Sequence, residues 1–210
     1  MKEQDHPPAT AWQEMVRGNQ RFVNGEPSHP RQDVEHREQL IGHQAPQAAL
    51  FGCSDSRLAA EIIFDKGLGD LFVVRNAGQI ISDSVIGSLE YAVAVLHVPL
   101  IVVLGHDECG AVAAAIDSQS PDAVPLPSNI HGLIEKIIPA VRRVKVAGAQ
   151  TGRPDATEVG REHLRDTVTE LLESSELITD AIAAGTLAIV GANYRLLEGT
   201  AVPDIIVGAV

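Results

Sequence analysis

The chain has 210 residues, 45% of them hydrophobic and only 3% aromatic, which suits one globular domain packed mainly by Val, Ile, Leu and Ala. Its formal net charge of −12 repels phosphate backbones and anionic lipid, so neither nucleic acid nor a membrane surface is expected as a partner. Residues 1–18 lack the apolar run of a signal peptide and no stretch is long enough to span a bilayer, so a cytoplasmic location is expected.

In chain order, the spacing of Trp12, Met15, Val16, Phe22 and Val23 predicts a helix over Thr10–Val23, with Thr10 and Gln13 as its capping box. Asn24–Pro46 is polar and broken by Gly and Pro. A helix on so loose an arm cannot bury its apolar stripe alone. Residues 1–46 are therefore expected to form an N-terminal helical arm and linker that exchanges between the subunits of a dimer, within the same domain as the α/β unit 47–210.

Short, nearly continuous apolar runs at Ala48–Cys53, Leu71–Arg75, Leu100–Gly105 and Leu187–Gly191 predict strands covered on both faces, as in a parallel sheet. Helical stretches alternate with them: Ala59–Phe64, Asp83–Val95, Gly110–Ile116, Ile130–Val146 and Glu158–Ala184. Ser118–Ser128, with three prolines, reads as a surface loop. Leu197-Glu198-Gly199 is a turn into a last strand near Val202–Val207, expected antiparallel to its neighbour. This βαβ alternation predicts an α/β fold: a mostly parallel central sheet, flanking helices and an antiparallel edge strand.

In open α/β sheets, chemistry collects at the carboxyl ends of the strands. One run ends in Cys53-Ser54-Asp55-Ser56-Arg57 and another in Gly105-His106-Asp107-Glu108-Cys109-Gly110, so both cysteines of the chain fall at such ends. In a reducing compartment they are ligands, nucleophiles or inert core residues before they are a disulfide. The H-x-x-C spacing lets His106 and Cys109 reach one ion at a helix start, with Cys53 as a third ligand. An isolated H-x-x-C also arises by chance. Two thiolates and an imidazole are a catalytic zinc pattern with its fourth position open, and zinc suits these borderline-soft ligands better than copper or iron.

Asp55 and Arg57, two residues apart, can pair just past the strand, and a bidentate Arg keeps the carboxylate oriented and ionised. Beside a metal, Asp55 can accept a hydrogen bond from the bound water, or occupy the open position itself and switch the site off. The plainer alternative is a solvated surface ion pair. Backbone N–H groups near Gly110, at the helix start, suit a developing anion. His6, His29, His36, His43, His97, His131 and His163 read as solvated or core histidines, and none is marked as a proton shuttle.

Cys53-Ser54-Asp55-Ser56-Arg57 followed by His106-x-x-Cys109 resembles the signature of the β-class carbonic anhydrases. Leu71–Gly78 (LFVVRNAG), Ser88–Val95 (SLEYAVAV) and Ile101–Gly110 (IVVLGHDECG) are similar to that family too, and Gly18–Gly25 (GNQRFVNG) resembles its bacterial branch. The likeness covers roughly residues 10–207. It implies one zinc ion per subunit on Cys53, His106 and Cys109, with Asp55 joining the metal in a closed state. Asp55 and Arg57 are then the catalytic dyad, and Gln44 binds substrate. It also implies a doubly wound sheet, a homodimer or homotetramer, and reversible hydration of carbon dioxide to bicarbonate by attack of zinc-bound hydroxide. Some members carry a noncatalytic bicarbonate pocket of Trp, Arg and Tyr. Arg75 and Tyr194 match the last two, but Leu50 stands where the Trp would be, which puts that pocket in doubt.

Three rival readings use the same residues. One is a hydrolase of carbon disulfide or carbonyl sulfide on this scaffold. Another is a noncatalytic zinc-binding sensor, and a third is a thiol enzyme with Cys53 as nucleophile and His106 as base.

Overall fold

The computed structural model, which describes residues 6–147 and 152–210, gathers the apolar runs into one five-stranded sheet. Its strands are β1 (Ala48–Cys53), β2 (Leu71–Asn76), β3 (Leu100–His106), β4 (Ala188–Arg195) and β5 (Thr200–Val207), in the spatial order β2-β1-β3-β4-β5. The first four run parallel, and β5 pairs antiparallel with β4. The helices among the described residues are α1 (Pro8–Val23), α2 (Val34–Gln39), α3 (Ala60–Ile63), α4 (Asp83–Ala94), α5 (Gly110–Asp117), α6 (Ser128–Glu135), α7 (Ile138–Ala147), α8 (Ala156–Ser174) and α9 (Glu176–Ala183).

Side chains alternate across the sheet and so build two cores. Ala48, Leu50, Leu100, Val102, Val190 and Ala192 face α1 and α3. Ala49, Phe51, Ile101, Val103 and Ile189 face α4, α8 and α9. Every residue of β1 and β3 is buried, as expected for strands covered on both sides. A third cluster, under α5, α6 and α7, contains Cys53 and Cys109. The chain leaves β1 for β2 on one side and then crosses to β3 on the other. The point where the winding reverses therefore lies between the carboxyl ends of β1 and β3, the usual crevice for a site in a doubly wound sheet.

The helices differ from expectation in four places. Helix α1 begins at Pro8 with no side-chain cap; proline at its start replaces the Thr10–Gln13 box. The stretch 130–146 is two helices, because Pro139 has no N–H to continue a helix running through Lys136 and Ile137. The stretch 158–184 is also two, broken at the extended Ser175 (φ −139°, ψ 104°). Helix α2 lies inside the stretch read as linker, capped by Asp33, which accepts from the His36 N–H.

The arm folds back on its own chain, and its first five residues lie outside the described ones. Trp12 and Met15 are buried against β-sheet residues of the same chain, while Val16 and Val23 of the same stripe stay exposed. A Cβ on Gly18 would sit 1.8 Å from the Phe64 carbonyl oxygen, so only glycine admits the approach of α1 to α3. Buried Asn19 donates to the carbonyls of Ile63 and Gly199 and accepts from the Ala201 N–H. Asp65 accepts from Arg21, from Ser28 twice and from the His29 N–H, and Asp70 accepts from Arg31 and the Gly67 N–H.

Candidate metal centre

Strands β1 and β3 are neighbours in register, Gly52 opposite Leu104, so the residues just beyond place Cys53 and His106 side by side. The chain then turns through Asp107 and Glu108, and Cys109 stands immediately before α5. Asp107 secures that turn by accepting from the Leu196 N–H, while its own N–H donates to the Tyr194 carbonyl. The ligating atoms of Cys53, His106 and Cys109 lie within 4.8 Å of one another, and all three residues are buried.

His106 Nδ1 lies 2.7 Å from the Asp107 carbonyl oxygen. A carbonyl only accepts, so Nδ1 carries the proton and Nε2 keeps its lone pair. That Nε2 is buried and has no hydrogen-bond partner among the described residues. A buried imidazole lone pair beside two buried thiols is costly for an apolar core and suited to a borderline-soft divalent cation. The donor set fits a metal ion.

The two thiols oppose each other. A hydrogen bond from Cys109 pulls the Cys53 pKa down; burial resists, and the N–H groups of Gly78 and Asp55 add to the pull. Cys109 is pushed up by the Cys53 thiolate it serves and by burial, while the Val112 and Ala111 N–H groups at the start of α5 act the other way. A divalent ion reverses the pressure on Cys109 and makes both thiolates favourable.

The Gly78 N–H reaches Cys53 Sγ at 3.3 Å. Its loop is braced by Asn76, whose side chain accepts from the Ile80 N–H and donates to the Ile80 carbonyl, both at 2.7 Å. Gly78 adopts φ +82°, and a Cβ there would meet Ala111 Cβ at 2.8 Å, so the position requires glycine.

Asp55 and Arg57 face each other at the rim. Arg57 Nε donates to Oδ1 at 2.9 Å and Nη2 to Oδ2 at 2.7 Å, and the Arg57 N–H adds a third bond to Oδ1. The Arg57 side-chain hydrogen bonds hold the Asp55 carboxyl well below the usual carboxylate range, against a smaller opposing effect of burial. Arg75, across in β2, donates to the carbonyls of Cys53 and Asp55 at 2.9 and 2.7 Å and so straps the loop from behind.

The fold thus brings together Cys53, Asp55, Arg57, His106 and Cys109. Asp55 is engaged by Arg57 and stands outside the donor cluster. Gly110 is the exposed first residue of α5. Gln44 is exposed in the loop before β1 and makes no hydrogen bond to the other five. Arg75 and Tyr194 lie on β2 and β4, with two strands between them, and Leu50 is buried in the core. The part played by Gly78 escaped the sequence reading, although the N-A-G-Q run after β2 marks a tight turn. The Arg75 strap had no signal, because its partners are backbone carbonyls.

Comparison with known proteins agrees with this geometry. A family model described as carbonic anhydrase matches residues 48–201. "Carbonic anhydrase 2" of Mycobacterium tuberculosis is 49% identical over 195 residues, covering 93% of this chain and 92% of that protein. A carbonic anhydrase of Mycolicibacterium smegmatis is 47% identical over 192 residues, 91% of each chain. Among solved structures, a β-carbonic anhydrase from Coccomyxa, in complex with acetazolamide, superposes with a TM-score of 0.71 at 25% identity, covering 92% of this chain and 86% of that one. A tetrameric β-carbonic anhydrase from Sordaria macrospora shares the fold, with a TM-score of 0.72 at 23% identity over 91% of this chain and 95% of that one.

Proposed function

This chain belongs to the β-class carbonic anhydrases, and from that premise we propose that it hydrates carbon dioxide reversibly to bicarbonate with one zinc ion held by Cys53, His106 and Cys109. The observation that carries the reading is the buried donor cluster directly beside an Asp55 carboxylate gripped by Arg57.

A zinc ion there supplies a water acidic enough to attack carbon dioxide near neutral pH. Asp55, ionised and therefore an acceptor only, would orient the nucleophile that such an ion supplies by accepting its hydrogen bond. Arg57 fixes the carboxylate plane, and Arg75 fixes the backbone beneath it. Asp55 is too weak a base to keep the proton, which leaves to buffer. The Gly110 N–H at the start of α5 would steady the developing anion, since those of Ala111 and Val112 are turned to the Cys109 sulfur. Gln44, exposed in the loop before β1, is the proposed substrate-binding side chain.

The negative charges of Cys53 and Cys109 weaken the pull on the water relative to a three-histidine site. The rate is therefore expected to rise with pH, with its midpoint between about 7 and about 9.

A homodimer or homotetramer is also part of the proposal. Strand β2 is a sheet edge whose Leu71, Phe72, Val73 and Val74 are all partly exposed, a surface that favours pairing with a second copy. No helix of the described residues is long and apolar enough to cross a membrane. The two free cysteines suit the reducing cytoplasm.

Zinc content measured beside the hydration rate over a pH series tests the function. Stoichiometric zinc with a rate climbing toward alkaline pH is the expected result. Protein without zinc, or a rate no faster than buffer throughout, overturns it.

A further inference from the structure

His163, on α8, is buried and plays no part in the reaction as described above. Its Nε2 lies 2.8 Å from the Gly78 carbonyl oxygen, and since a carbonyl only accepts, Nε2 carries the proton. The other ring nitrogen, Nδ1, is buried without a hydrogen-bond partner among the described residues. Burial pushes the ring pKa down, which keeps it neutral with a single N–H to give. That one donor goes to Gly78.

Gly78 is the residue whose own N–H donates to Cys53 Sγ. One glycine is therefore held from both sides, by His163 at its carbonyl and by Cys53 at its amide. Thr167, one turn along α8, donates to the His163 carbonyl and reaches the Gln79 carbonyl at 3.5 Å, so the loop is moored to this helix. Packing alone does not account for a histidine here. Val159, one turn earlier on α8, is buried and aliphatic, and an aliphatic residue at 163 would leave no orphaned Nδ1.

We propose that His163 is a positioning residue for the metal centre: by anchoring the Gly78 carbonyl it holds the Gly78 N–H on the Cys53 sulfur. Hydrogen bonds to a ligating thiolate draw charge from the sulfur and tune the ion it binds. The proposal rests on Cys53 being a metal ligand, as the function above requires.

Cobalt(II) in place of zinc gives a thiolate-to-metal charge-transfer band that reports the charge on sulfur. His163→Leu removes the donor and should shift this band to lower energy. His163→Gln, whose amide nitrogen can occupy the place of Nε2, should restore it. Should the leucine variant fail to fold, His163→Asn, whose amide falls short of Gly78, takes its place. In the unmodified protein loaded with cadmium-113, the Gly78 amide proton should couple to the metal through the sulfur. A band unmoved by the substitution, a shift that glutamine does not reverse, or no coupling at Gly78 overturns the role of His163 alone. No charge-transfer band in the unmodified protein would instead defeat the metal assignment and this inference with it.

Discussion

Arg57 holds Asp55 by two parallel hydrogen bonds, Nε to Oδ1 at 2.9 Å and Nη2 to Oδ2 at 2.7 Å, while the same Nη2 donates to the Glu108 carbonyl at 3.0 Å. Glu108 sits between His106 and Cys109, so one guanidinium ties the loop after β1 to the loop after β3. The Arg57 side chain is 48% exposed, and an ion pair so open to solvent adds little stability. Its value is geometric: it fixes the direction of a charged acceptor next to the metal donors.

Asp55→Asn should therefore lower kcat/KM by about 100-fold or more while leaving zinc content unchanged, since an amide no longer orients the water as a pure acceptor. Arg57→Lys should fall between wild type and Arg57→Ala, because an ammonium cannot grip both oxygens in one plane. Metal analysis beside steady-state kinetics checks both. An asparagine variant with wild-type turnover would remove Asp55 from the mechanism.

Cys109→Ala separates the metal reading from a thiol enzyme. With Cys53 as nucleophile and His106 as its base, loss of Cys109 would be mild. With three protein ligands on zinc, the variant should lose stoichiometric metal and nearly all activity, as should His106→Ala. A strong chelator should abolish the activity of the unmodified protein, and added zinc should restore it.

The strands were legible in the sequence because they depend on local pattern, and the donors because they stand where such strands end. Ala48–Cys53 is a continuous apolar run that ends in a reactive residue, and in the structure it is a fully buried strand over the same residues. What was not legible depends on partners distant in sequence. Ser175 breaks a helical stretch because Glu90 of α4 is there to receive its hydroxyl. The arm reads as loose because Asp65 and Asp70, which fasten it, lie some 40 residues further on. The Gly18–Gly25 motif stood out only as a likeness. Its physical content is the close approach at Gly18, the three bonds of Asn19 and the Arg21–Asp65 pair.

Asp65 makes the fastening of the arm sensitive to acid. Burial alone would raise its pKa, but the Ser28 N–H, the Arg21 guanidinium, the Ser28 hydroxyl and the His29 N–H together hold it well below the usual range. A carboxyl depressed on folding contributes stability that is fully present above its unfolded value, about 3.9, and is lost as pH falls through the folded one. Asp65→Asn should cost about 1.5–3 kcal/mol at neutral pH, the range for hydrogen bonds to a charged group. The gap between variant and wild type should narrow below about pH 4. Urea unfolding at neutral and acid pH measures it; a gap that is constant or widens with acid would contradict the assignment.

Ser175 should carry more of the fold than a break between two helices suggests. Its hydroxyl donates to Glu90 Oε1 at 2.6 Å and accepts from the Ile178 N–H at 3.3 Å, so it caps α9 and ties the α8–α9 corner to α4. Ile178, the residue it caps, is buried in the core beside Leu89 and Leu171, so fraying the first turn of α9 exposes apolar surface as well as an N–H. Ser175→Ala removes both bonds and should cost about 1–2 kcal/mol, the upper range for loss of a cap. Ser175→Asp should do worse than Ser175→Asn, although both are good caps in isolation, because it sets a second carboxylate against Glu90. Urea midpoints of the three variants give the order; an aspartate at least as stable as the asparagine would show that Glu90 is not held at this corner.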